Sequence, residues 1–194
     1  AGSQDAEAAD AVARRLGDLP LAVAQAAATA SDEEWTLKRY LERLEKYSSR
    51  QVIRPVPGDS YTRDVSSALR MAVDSALNRI DEGLREVARL QVGALAVLAE
   101  SGVPTRWIDP LMKEDTDAAE SNEDTGADAA VEDADAHSAA EDAHLALTAL
   151  TKASVVQQSA DGRMTMLHRL QGQVLRENWN QGERAEAFDA AADL

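Results

Sequence analysis

Cysteine is absent from this chain of 194 residues. That excludes a disulfide framework, a cysteine metal site and a thiol nucleophile. Aromatic side chains make up only 4%, so any core must be built from small and aliphatic residues. No apolar run approaches the roughly 20 residues that span a bilayer. No secretory leader is visible at the start. These absences predict a cytoplasmic protein with no membrane partner. Positive charge is also short: 20 Lys and Arg stand against 35 Asp and Glu, for a net charge of −15. That balance argues against nucleic-acid and anionic-membrane partners. The phosphate-cradling pattern G-x-x-x-x-G-K-[ST] is missing, since none of the ten glycines is followed by lysine. No Ser-His-Asp or paired-carboxylate set can be argued, so no catalytic residue is assigned and the chain is not expected to be an enzyme by itself.

What is present is alanine and acid. Hydrophobic residues reach 44%, much of it alanine, which favours helix. The length suits one large domain or two small ones. Acid is concentrated in Lys113–Ala143, which carries twelve Asp and Glu against one Lys. This stretch has the composition of a disordered insert. It lacks the D-x-[DN]-x-[DN]-G order of a calcium loop. Outside it the chain is close to charge balance. Ala1-Gly2-Ser3 reads as a cloning remnant, which implies a fragment of a longer protein.

Helical periodicity dominates the pattern. Gln4–Leu16 presents Ala9, Val12, Ala13 and Leu16 on one side, and Gly17 suits the left-handed position that ends a helix. Asp18 is placed to cap the next helix, with Pro20 in its first turn. Leu21–Ala30 is apolar almost all round and is expected to be buried. Ser31-Asp-Glu-Glu34 reads as a capping box before a helix with Leu37, Tyr40, Leu41, Leu44 and Tyr47 on one face. Ser48–Ser60 reads as a loop, and Tyr61–Ile80 and Glu82–Glu100 as helices. Arg106–Met112 suits a short helix, and His144–Lys152 a longer one. Asp161-Gly162 between two short runs predicts a hairpin. His168–Trp179 is helical again, and Arg184–Asp193 begins another helix.

The expected fold is mainly α. Residues 1–80 form a helical bundle. Residues 81–180 form a winged helix with a small β-hairpin and the acidic disordered insert 113–143. Residues 181–194 are the start of a further helix or a linker.

Two segments carry the functional signal. The first is Gly17-Asp-Leu-Pro-Leu21. The second is Gly162-Arg-Met-Thr-Met-Leu-His-Arg-Leu170, followed by Gln171, Val174, Leu175 and Arg176. Between them stand Trp35-x-x-x-x-Tyr40-Leu41 and the helix Asp64–Leu77. In this order they resemble the Gly-x-Pro and MHD-type segments of NB-ARC, or STAND, signal-transduction NTPases of the bacterial regulator type. The departures are Asp18, Leu167 and Gly172. The resemblance runs from roughly Glu7 to Trp179, apart from the acidic insert. It implies that Pro20 packs on the adenine and His168 reaches the phosphates of bound ADP or ATP. It also implies an intramolecular P-loop NTPase domain as partner, ATP binding in the parent protein, a hinge near Ile80–Gly83 and a helical-repeat sensor farther along. The chain would then be a regulatory domain of a nucleotide switch, with no cofactor expected for the fragment alone.

Two other readings compete. A winged-helix transcriptional regulator needs a basic reader helix. Ala143–Ala153 has one Lys and no Arg, and the wing adds only Arg163, which argues against DNA. A freestanding interaction module would use the acidic stretch to dock a basic partner. His137, Glu141 and His144 share a helical face, and Glu141-x-x-His144 has the spacing of a di-iron half-site. The required second pair is absent, so no metal is expected.

Overall fold

The computed structural model describes residues 2–51, 53–54, 62–98, 100–108 and 128–194, with backbone alone at 2–4 and 128–139. Among these residues the protein is mainly helical, with three short strands. The order is α1 (Gly2–Arg15), α2 (Pro20–Asp32), α3 (Leu37–Arg50), α4 (Arg63–Arg79), α5 (Glu82–Val97), β1 (Val103–Pro104) and α6 (Thr105–Ile108). It continues with α7 (Asp128–Lys152), β2 (Val156–Gln158), β3 (Met164–Leu167), α8 (Arg169–Asn178) and α9 (Gln181–Ala192). From α5 to β3 this is the order of a winged helix. No described helix is long and apolar enough to cross a membrane.

The first corner follows from Gly17. Its φ of 63° is left-handed, which glycine adopts without steric cost. The Gly17 N–H bonds the Arg14 carbonyl at 3.1 Å and the Asp18 N–H bonds that of Ala13 at 2.9 Å. Together these close a Schellman turn. Asp18 also has positive φ, at 54°. It therefore does not cap α2; Leu19 holds the cap position with no side-chain bond, and Pro20 opens the helix. The capping box expected at Ser31–Glu34 is also not formed. α2 runs through Ser31 to Asp32 and ends in a second Schellman turn, with Glu34 at φ 53°. The cap of α3 is Thr36, whose side chain accepts from the Arg39 N–H at 3.2 Å.

Two further expectations are corrected. α2 buries only one face, through Ala22, Gln25, Ala26, Thr29 and Ala30, and leaves Ala24 and Ala27 exposed. A string of alanines has no strongly sided pattern, so periodicity could not locate that face. Ser48–Arg50, read as loop, continue α3, because Arg63 donates to the Ser48 and Gln51 carbonyls at 2.5 and 3.0 Å and satisfies the helix end. Residues 52 and 55–61 of that expected loop lie outside the described residues, as do 109–112 of the expected short helix and 113–127 of the acidic insert. From Asp128 the insert is helix, not disordered: it forms the first part of α7. Its alanines favour helix despite the charge.

The hairpin forms where Asp161-Gly162 predicts it, with Val156 opposite Leu167 and Gln158 opposite Thr165. β1 adds a third strand that two residues could not announce, giving the order β1-β3-β2. Pro104 sits in this edge strand, where a missing donor is tolerated.

Two apolar cores fill the described residues, and they share two helices. The first half of α4 (Val65, Leu69) packs with α1, α2 and α3. Its second half (Val73, Ala76) and the capping Ile80 pack with α5 and α7. In α8, Leu170 and Val174 face the N-terminal core while Leu175 faces the other. The division at residue 80 therefore cuts the sequence but not the packing. α9 is a complete helix lying on α5. A Cβ on Gly93 would come within 3.1 Å of the Ala187 Cβ, so the two helices approach closely there and any side chain would push Ala187 back by a few tenths of an ångström.

Candidate functional site

Pro20 and His168, far apart in sequence, line one cavity. The Schellman turn at Gly17 brings Leu19, Pro20 and Leu21 to the start of α2. The hairpin delivers His168 to the start of α8, directly after β3. Between them lies a pocket of about 210 Å³ walled by these residues with Arg169, Leu170 and Gln173. The two helices are pinned together one turn deeper. The buried Gln25 amide donates to the Gln171 side chain at 3.4 Å and to the Ser154 carbonyl.

His168 is the N-cap of α8. Its Nδ1 accepts from the Leu170 N–H at 3.2 Å. The neutral ring therefore carries its proton on Nε2, a donor free of the cap. Partial burial pushes the imidazole pKa down, and the neighbouring Arg169 charge pushes the same way. A neutral donor and an exposed guanidinium at the N-terminus of α8 suit an anion. Leu19 and Pro20 supply an apolar wall beside it. Arg169 and Gln173 extend the site beyond the two expected residues; the Arg after the motif His was the available signal.

The segment at Ile80–Gly83, expected to be a hinge, is tied to its neighbours. Arg85 donates to the Leu77 and Ile80 carbonyls at 3.1 and 3.2 Å, fastening the end of α4 to the start of α5. Glu141 and His144 are exposed on α7, and the side chain of His137 lies outside the described residues.

A larger cavity of about 570 Å³ separates α4, α5, α8 and α9. One of its walls is a polar chain. The Tyr47 hydroxyl donates to Asp74 at 2.5 Å, and Arg70 bonds Asp74 at 3.2 Å and Glu183 at 2.6 Å. Glu183 also closes the capping box of α9 with Asn180. Burial works against ionisation of Glu183. The Asn180 N–H and the Arg70 guanidinium outweigh it and hold the carboxyl below its ordinary value. A third cleft, about 410 Å³, lies between α3 and α4.

Comparison with protein-family models, curated proteins and solved structures finds no match to this chain.

Proposed function

We propose that the chain is a regulatory part of a STAND-type nucleotide switch, which helps to close a P-loop NTPase domain over bound ADP or ATP and transmits the nucleotide state. It has no catalytic role of its own. The observation that carries this reading is the shared cavity of Pro20 and His168. The two segments that resemble the family's nucleotide-contacting motifs face the same space from two helices. The chemistry of the cavity agrees with the assigned roles. Pro20 and Leu19 offer an apolar surface for a base, and the His168 Nε2–H with Arg169 offers donors for phosphate oxygens. A ligand held from both sides favours the arrangement in which α2 and α8 lie together, in proportion to its differential contacts.

The test is nucleotide retention in the parent protein that carries the P-loop domain. A hydrogen bond to a charged group contributes about 1.5–3 kcal/mol. His168→Ala should therefore speed release of a fluorescent ADP analogue about tenfold or more, measured by stopped flow. Release at the wild-type rate would overturn the assignment.

A further inference from the structure

We propose that the cleft between α3 and α4, with the basic stripe beside it, is a docking groove for an acidic peptide segment bearing an apolar anchor residue. This inference concerns a different face from the Pro20–His168 cavity and stands without the nucleotide reading.

The stripe is written in the spacing of α3. Arg39, Arg43, Lys46 and Arg50 follow one another at intervals of four, three and four, which places them on one helix face. All four are exposed. Among the described residues none of them pairs with a carboxylate; Arg43 lies over the Trp35 ring instead, 5.1 Å from its centroid. Of the two acids of α3, Glu42 borders the stripe, three residues after Arg39 and four before Lys46, while Glu45 falls farther round with Lys38. In a chain of net charge −15, four cations held together without partners form a local positive field. Such a field steers and selects an acidic ligand.

The cleft adds an apolar floor. Trp35, Tyr47 and Met71 line it, and Arg43, Lys46 and Arg50 form its rim. Two acids also line it, but both are already engaged. Glu33 accepts from the Ser75 hydroxyl, and Asp74 accepts from Tyr47 and Arg70. Among the described residues the groove therefore presents cations without ion-pair partners beside two hydrogen-bonded acids. Its volume of about 410 Å³ accommodates a bulky aliphatic or aromatic side chain. The stripe spans eleven helical rises, about 16 Å. An extended peptide covers that length with about five residues. The occupant that fits is a short acidic segment of a partner protein, with carboxylates along the stripe and one apolar side chain in the cleft.

The probe is a fluorescein-labelled heptapeptide of Asp and Glu with one central Leu, followed by anisotropy with the full chain. Saturable binding is expected, weakening several-fold as salt rises from about 50 to about 300 mM. The double variant Arg43→Glu/Lys46→Glu should lower affinity about tenfold or more. Both side chains are exposed, and an unchanged circular dichroism melt confirms that the variant is folded. Replacing the peptide Leu by Ser, or Trp35→Ala in the protein, should weaken binding with the salt response retained. An unbound peptide overturns the proposal, including the case in which an acidic segment of this chain already fills the stripe. Binding untouched by the charge reversal overturns it as well. So does equal affinity for oligothymidylate of the same charge, which would mark a general polyanion surface.

Discussion

Two residues sit in backbone or electrostatic situations that a substitution can read directly. Glu34 occupies the left-handed position that ends α2, at φ 53°, where a Cβ costs about 1–2 kcal/mol. Glycine removes that cost but loses more chain entropy on folding. Glu34→Gly is therefore expected to stabilise the protein by about 0.5–1 kcal/mol, seen as a higher urea midpoint with unchanged slope. His168 gives a pH dependence. Its folded pKa lies below the ordinary 6.5, because burial disfavours the imidazolium and Arg169 repels it. As pH falls, the unfolded chain binds this proton first. The stability due to neutral His168 is whole above 6.5 and is lost as pH drops from there towards the lowered folded value. Protonation at Nδ1 would also break the cap on Leu170. Urea titrations at about pH 7.5 and 5.5 should show a larger loss for the native chain than for His168→Asn, which keeps a cap acceptor that does not titrate. Equal losses would remove His168 from the account. At this scale the sequence was half legible. Gly17 announced its turn, but Glu34 and Ser154 hold left-handed positions that their residue types do not favour, in the hydrogen-bonded turns that end α2 and α7.

Elements were the most legible level. Stripes such as Val65, Leu69, Ala72, Val73 and Ala76 mark α4 as a helix with a buried face, because period 3.6 and burial leave the same trace. Boundaries were less legible. The α3 cap is Thr36 rather than Ser31, since a run of acid and Ser between two helices offers several competing caps and the chain direction decides among them. β1 has two residues and exists only because β3 lies beside it. α9 is the element whose placement depends most on a single close approach. Gly93→Leu would put a side chain where Ala187 packs and should push α9 off α5. Overpacking costs about 1–3 kcal/mol, against a helix-propensity gain of about 0.8 kcal/mol. A net loss of about 1–2 kcal/mol is expected in urea unfolding, with faster tryptic cleavage at Arg184. Unchanged cleavage would show that α9 tolerates the added volume.

The whole molecule behaves as its shared helices dictate. α4 and α8 each contribute to both cores, so loss of one core strips a wall from the other. Unfolding should be a single transition. Tryptophan fluorescence, which reports Trp35 beside the N-terminal core and Trp179 beside the other, should superimpose on the helical circular dichroism signal. Two separated midpoints would show that the cores fold apart. Composition and periodicity by themselves determined a mainly helical chain and its hairpin, because each is a local property of propensity, spacing or turn chemistry. Only the tertiary structure decided that Pro20 and His168 face one cavity. Only it decided that α8 returns to the first bundle and that, among the described residues, Arg39, Arg43, Lys46 and Arg50 form no ion pair while Glu33 and Asp74 in the adjoining cleft are engaged. Those facts depend on which faces meet across the fold, and side-chain contacts between distant segments leave no periodic trace in the sequence.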